Sequence, residues 1–226
     1  MEDFKITSIT VCRKGSIRIK DKWALELNGK SLIERTMDTL GQCDNIHEVV
    51  IGTNIPQIEL MCKSKGVQHY MRDDYFCDES QCSANEMIYD MCTKVDTDII
   101  VWAHCTNPLI KSETYDKAVE IFLEKEKEGF DSLSSVDIVQ EHLWGNDKKP
   151  LNYDPYAPTH ILSSKLPALY KQNGAINIQR RESFLKNKYF FGANPYLMTL
   201  SRAESIDINE MIDLRIANLY LTEGSD

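Results

Sequence analysis

A surplus of positive charge is missing from this sequence: 26 lysines and arginines stand against 35 aspartates and glutamates, a formal net charge of −9 at pH 7. That excludes a broad nucleic-acid surface, which needs clustered Lys and Arg to displace phosphate counterions. Also missing is any apolar run near the ~20 residues that cross a bilayer, so no membrane segment is expected. Neither phosphate-binding signature, G-x-x-x-x-G-K-[ST] or G-x-G-x-x-G, occurs. The seven cysteines, Cys12, Cys43, Cys62, Cys77, Cys82, Cys92 and Cys105, contain no C-x-x-C pair. Their odd number and irregular spacing point to reduced, mostly buried thiols rather than a zinc site built from Cys77, Cys82 and Cys92. The opening Met1-Glu2-Asp3-Phe4-Lys5 is charged and unlike an apolar leader, which gives the expectation of a cytoplasmic protein.

What is present is ordinary for a globular chain: 226 residues, 42% hydrophobic and 27% charged. A domain of this length buries enough surface to fold without a metal or disulfide staple. Strand patterns fall at residues 6–12, 49–53, 67–71, 98–103, 132–139, 174–179 and 195–200. Helical spacing falls at residues 30–40, 55–65, 83–94, 112–127, 181–186 and 210–222. The run Ile99-Ile100-Val101-Trp102 has no polar alternation and reads as a strand covered on both faces, as in a parallel sheet between helices. Strand and helix alternate to about residue 136, predicting βαβ units in one domain over residues 1–226. The expected architecture is therefore α/β, a Rossmann-like three-layer sandwich with a mostly parallel central sheet. Residues 140–170 break the alternation with Pro150, Pro155, Pro158 and Pro167. They read either as an irregular surface excursion or as an inserted lid or dimerisation segment.

In an open parallel sheet, ligands sit at the carboxyl ends of strands. After the first strand comes Arg13-Lys14-Gly15-Ser16-Ile17-Arg18-Ile19-Lys20-Asp21-Lys22, holding five of the chain's 26 lysines and arginines. Gly15 lets the backbone turn, Ser16 offers a hydroxyl, and successive N–H groups can form an anion nest. Arg13 and Arg18 can grip phosphate oxygens in pairs, with Lys22 as a point charge. The alternative is a solvated basic loop.

This loop resembles the A-R-G-G-S-K-R-I-P-G-K-N signature of the acylneuraminate cytidylyltransferases, the CMP-sialic acid synthetases and their relatives. Further blocks follow in the same order. Gly29-Lys30-Ser31-Leu32-Ile33 is similar to G-K-P-L-I, and Val49-Val50-Ile51-Gly52-Thr53 to V-I-V-S-T. His104-Cys105-Thr106-Asn107-Pro108-Leu109 resembles Q-P-T-S-P-L, Asn173-Gly174-Ala175-Ile176-Asn177-Ile178 resembles N-G-A-I-Y-I, and Ser205-Ile206-Asp207-Ile208-Asn209 resembles S-I-D-I-D.

The resemblance implies a nucleotidyltransferase that moves CMP from CTP onto an acidic sugar, a nonulosonic or other 2-keto sugar acid, and releases pyrophosphate. It implies CTP and an acidic small-molecule acceptor as partners, a homodimer, and Mg²⁺ (or Mn²⁺) as cofactor. Arg13, Lys22 and Asp207 are the catalytic candidates. Arg13, Gly15, Ser16, Arg18, Lys22, Trp23, Arg72 and Ser83 are the nucleotide-binding candidates. His104, Thr106 and Asn173 fall to the acceptor, and Asp207 and Asn209 to the metal.

Residues two apart on an extended segment point the same way, so Asp207 and Asn209 can face one ion. They can equally cap the last helix. His104 reads either as an acceptor contact or as a histidine held by a hydrogen bond at a strand end.

Several positions depart from the family pattern. Trp23 replaces an asparagine, His104 a glutamine and Asn209 an aspartate. Ser163 stands for an arginine, and the lysine of the family pattern is replaced near Glu141-His142-Leu143-Trp144, leaving Lys148, Lys149 or Lys165 to substitute. These departures keep two alternatives in view: a catalytically weak nucleotide-binding or regulatory relative, and a cytidylyltransferase for a non-sugar acceptor such as a phosphonate.

Overall fold

The computed structural model describes residues 4–15 and 18–223. The chain opens with strand β1 (Ile6–Cys12), followed by a short hairpin of β2 (Glu26–Leu27) and β3 (Lys30–Ser31). Helix α1 (Leu32–Leu40), strand β4 (Glu48–Thr53), helix α2 (Pro56–Lys65) and strand β5 (Gln68–Met71) come next. Then follow α3 (Ala84–Thr93), β6 (Ile99–Ala103), α4 (Ser112–Glu126) and β7 (Ser132–Val139). The chain closes with β8 (Leu169–Arg180), α5 (Arg181–Asn187), β9 (Pro195–Thr199) and α6 (Met211–Glu223).

Local chemistry sets the helix ends. The Ser31 hydroxyl accepts the Glu34 N–H at 3.3 Å and starts α1. Pro56 opens α2, where its missing N–H is harmless, and Gly66 at φ 67° stops it. Ser83 and Glu86 exchange side-chain and backbone bonds across the start of α3 as a capping box.

Among the described residues, one sheet holds seven strands in the order β5-β4-β1-β6-β8-β7-β9. Pairs β4–β5, β1–β4, β1–β6 and β7–β9 are parallel, whereas β8 runs antiparallel to both β6 and β7. One face packs Ile33 and Met37 of α1, Ile58 of α2 and Val119 and Phe122 of α4. On the other, Ile88 and Met91 of α3 and Phe184 of α5 meet Ile9, Val50, Ile100 and Trp102. Three layers with a mostly parallel centre are what the buried apolar run at Ile99–Ala103 predicts. β6 is buried at all five positions, so both of its faces are covered.

The elements differ from expectation in two places. The β2–β3 hairpin takes up the expected start of the helix at residue 30, and α1 begins at Leu32 instead. Asn28 and Gly29 at its tip have φ 50° and 74°, the left-handed pair that a tight hairpin turn requires. β8 is twelve residues long and begins inside the 140–170 stretch, where no strand was expected. The rest of that stretch is irregular, with one bridge between Trp144 and Pro150 and a short 3₁₀ turn at Ser163–Lys165.

Candidate functional site

Four parallel strands end on one edge of the sheet and deliver Arg13, Asn54, Arg72 and His104 as their next residues. β8 runs the other way, so its early residues Asn173 and Gly174 reach the same edge. Together these ends enclose a cleft of about 520 Å³, lined by Arg13, Arg18, Lys22, Trp23, Glu79, His104, Thr106, Asn173, Asp207 and Asn209 among others. Two smaller cavities open beside it. One, about 310 Å³, is lined by Arg72, Phe76, Cys77, Cys82, Ser83 and Met87, and it shares Arg13 and Glu79 with the cleft. The other, about 470 Å³, is lined by Asp137, Lys171, Gln172, Glu210 and Asp213, and it shares Asn173, Asp207 and Asn209.

Most sequence-nominated residues converge here. Arg13, Arg18, Lys22 and Trp23 come from the first loop and the 3₁₀ turn Lys22–Ala24 that follows it. Ser16 lies outside the described residues. Gly15, at φ 78°, lines a separate open cavity with Asn54, Asp73, Asp74 and Asp78 rather than the cleft. Its neighbour Lys14 donates its backbone N–H to Asn54 Oδ1 at 3.0 Å, which fastens the loop to the end of β4.

Lys22 bridges two distant parts of the chain. Its Nζ donates to the Ile208 carbonyl at 2.6 Å and lies 3.5 Å from Asn209 Oδ1. Burial lowers the pKa of this ammonium, against the attraction of Asp207. Asn209 Nδ2 donates to Asp207 Oδ2 at 2.5 Å, so the two side chains are joined to each other by the amide nitrogen. The capping role falls instead to Asp213, which accepts the N–H groups of Asn209 and Glu210 at 2.8 and 2.7 Å. That leaves Asp207 facing the cleft rather than serving a helix end.

His104 is held on both sides. Its Nδ1 meets the Gly174 carbonyl, which can only accept, and its Nε2 accepts the Trp102 indole N–H at 3.3 Å. One ring nitrogen therefore carries hydrogen and the other does not, which is the neutral form. Burial lowers its pKa and favours the same form. Phe190 packs edge-on against the ring at 5.7 Å. This bonding matches the structural alternative, a histidine that joins β6 to the β8 turn.

Asn173 is likewise braced. Its Oδ1 accepts from Ser135 Oγ at 2.6 Å and from the Ala175 N–H at 3.2 Å, while its Nδ2 donates to Asp137 at 2.9 Å. Thr106 lines the cleft, and its carbonyl accepts the Ile208 N–H at 2.8 Å.

Arg72 and Ser83 sit in the smaller cavity, not the central cleft. The Arg72 Nη2 donates to the Phe76 carbonyl, and its Nε is buried without a partner. The Ser83 hydroxyl already serves the capping box. Trp23 packs against the cluster of Ile33, Met37, Ile55 and Ile58 while lining the cleft, and its indole nitrogen is buried without a partner.

Two features escaped the sequence reading. Glu79 pairs with Arg13 and lines both the cleft and the smaller cavity; no motif marks it. Cys12 and Cys105 lie on the cleft wall, and burial pushes the Cys105 thiol up to about 11 and the Cys12 thiol higher still. Both stay protonated near neutrality and are poor nucleophiles. Arg13, Arg18 and Lys22 on the same wall suit the cleft to charge neutralisation and positioning.

A family model described as "Cytidylyltransferase" matches residues 8–224. An N-acylneuraminate cytidylyltransferase of Streptococcus agalactiae serotype V is 26% identical over 220 residues, covering 91% of this chain and 50% of that protein. One of Escherichia coli O18:K1:H7 is 23% identical over 224 residues, covering 94% of this chain and 51% of that protein. The chain thus spans about half the length of these curated relatives. Among solved structures, CMP:2-keto-3-deoxy-manno-octonic acid synthetase complexed with CTP superposes with a TM-score of 0.68 at 13% identity, over 98% of this chain and 100% of that one. That likeness establishes a shared fold.

Proposed function

We propose that this chain, which belongs to the cytidylyltransferase family, transfers CMP from CTP to an acidic sugar, a nonulosonic or other 2-keto sugar acid. The observation that carries the reading is the convergence of Arg13, Arg18 and Lys22 with Asp207 in one cleft, from opposite ends of the chain. In the reaction, an acceptor hydroxyl oxygen bonds to the α-phosphorus, the bond to the bridging oxygen breaks, and pyrophosphate leaves with that bond's electron pair while the α-phosphate keeps one negative charge in the new diester. The hydroxyl proton passes to solvent. Such transfers rely on positioning and on neutralising phosphate charge. Arg13, Arg18 and Lys22 face the triphosphate, and the smaller cavity beside Arg72 receives the base. The acceptor approaches from the side of Thr106, Asn173 and Gly174.

Mg²⁺ takes one or two carboxylates and completes its shell with phosphate oxygens and water. Asp207 offers one carboxylate, and Asn209 offers an amide oxygen once its side chain turns, since its nitrogen now faces Asp207. That donor set fits the ion. The metal would add positive charge at the phosphates.

The chain reads as one domain over residues 1–226, with 140–170 as an arm between two copies. Trp144 (57% exposed), Leu151 (65%), Tyr156 (92%) and Leu162 (62%) support this, as an apolar surface that a second copy would cover. Sedimentation is expected to give a mass near twice 26.0 kDa; a monomer at micromolar concentration rejects the arm.

Titration with CTP and Mg²⁺ tests the nucleotide reading: CTP is expected to bind in preference to GTP, ATP and UTP. Equal or better binding of another triphosphate overturns the base assignment. A second reading, a nucleotide-binding relative with weak turnover, is favoured by the neutral amide of Asn209 in a metal-ligand position. Tight CTP binding with no pyrophosphate release across a panel of acidic sugars would select it.

A further inference from the structure

Arg13 holds the group best shaped for paired phosphate oxygens, yet its guanidinium is already engaged. Nη1 donates to the Cys77 carbonyl at 2.9 Å, and Nη2 forms an ion pair with Glu79. A carboxylate offers a guanidinium two oxygens in a plane, much as phosphate does. Glu79 therefore occupies the position that a phosphate group would take on Arg13. It lines both the cleft and the smaller cavity, at the point where the two meet.

The two partners differ in freedom. The Glu79 side chain is 66% exposed and that of Arg13 only 23%. Glu79 lies in the turn between the 3₁₀ segment Asp74–Cys77 and α3, where Asp78 accepts from the Ser80 N–H at 2.9 Å and from Gln81 Nε2 at 2.6 Å. Its backbone is thus held by its neighbours while the carboxylate borders water. It can rotate outward without disturbing the strand ends.

We propose that Glu79 is an internal substitute for phosphate: it pairs with Arg13, yields to an incoming triphosphate, and re-pairs as pyrophosphate leaves. Glu79 acts through Arg13 and is a positioning residue. It lowers affinity for every ligand whose phosphates reach Arg13, and it speeds exit of the charged product from a cleft that also carries Arg18 and Lys22. The inference rests on the reading that Arg13 meets the triphosphate. A pair this exposed contributes modestly, so its removal should tighten binding by about three- to five-fold.

The test is calorimetric titration of CTP, inorganic pyrophosphate and cytidine into the wild type, Glu79→Gln, Arg13→Ala and the double variant. Glu79→Gln is expected to tighten CTP and pyrophosphate about three- to five-fold and to change cytidine, which carries no phosphate, by less than about two-fold. In the Arg13→Ala background the gain should fall below about two-fold, because screened repulsion alone remains. Unchanged or weaker CTP binding by Glu79→Gln overturns the inference, the weaker result marking Glu79 as a ligand contact. An equal gain in both backgrounds also overturns it, by assigning the effect to charge at a distance. If the wild type binds CTP and Arg13→Ala does not, those failures leave the nucleotide reading standing. If neither protein binds CTP, both fall.

Discussion

Asp207→Asn is expected to reduce metal-dependent turnover by about 100- to 1,000-fold, the usual scale for losing one preorganised charge at a phosphoryl site. The reason lies in the donor count. Asp207 is the one carboxylate in the 207–209 pair, and with an amide at both positions the segment brings no negative charge to a divalent ion. The substitution keeps the shape of the side chain and its contact with Asn209 Nδ2. Asp213, not Asp207, holds the backbone ahead of α6, so the fold should be retained. Pyrophosphate release measured across a Mg²⁺ series, with thermal melting as a control, separates the effects. A variant that stays active at limiting Mg²⁺ removes Asp207 from the metal site.

Arg13→Ala is expected to raise the Kd for CTP by about 10- to 100-fold, the worth of a charge-assisted hydrogen-bond pair to phosphate. Its side chain is three-quarters covered but contacts a loop rather than the core, through Cys77 and Glu79. Stability should therefore change little. Lys at this position should recover only part of the affinity, since an ammonium lacks the paired donors. An unchanged rate and KM would reject Arg13 as a phosphate contact.

Much of this arrangement is legible in the residue order. The run at Ile99–Ala103 announces a strand buried on both faces, and the basic loop stands out because the chain around it is acidic. Asp207 and Asn209 are singled out by the resemblance of Ser205–Asn209 to the family block, and in the structure the Asn209 amide bonds the Asp207 carboxylate. Other features carry weaker signals. Asn28-Gly29 is a strong hairpin-turn signal, but two-residue strands give no periodicity to accompany it. The early part of β8 is polar and follows Pro167, and its pairing with β7 supplies what local propensity does not. Its antiparallel direction, which brings Asn173 and Gly174 to the ligand edge, is a property of topology alone. Glu79 is a charged loop residue like many others, and only its distance to Arg13 singles it out.

The bond from Lys22 to the Ile208 carbonyl spans 186 residues of chain. Beside it, Leu27 and Leu32 share a buried cluster with Ile208 and Ala217. Contacts this distant in sequence form late, because the loop-closure entropy of the intervening chain opposes them until the rest has condensed. During synthesis the basic loop emerges early and waits for its counterpart. A nascent chain stopped before Ile208 would display every cation of the first loop and still lack the other wall of the cleft. Any ligand held by both walls would thus report that the last part of the chain has folded back onto the first.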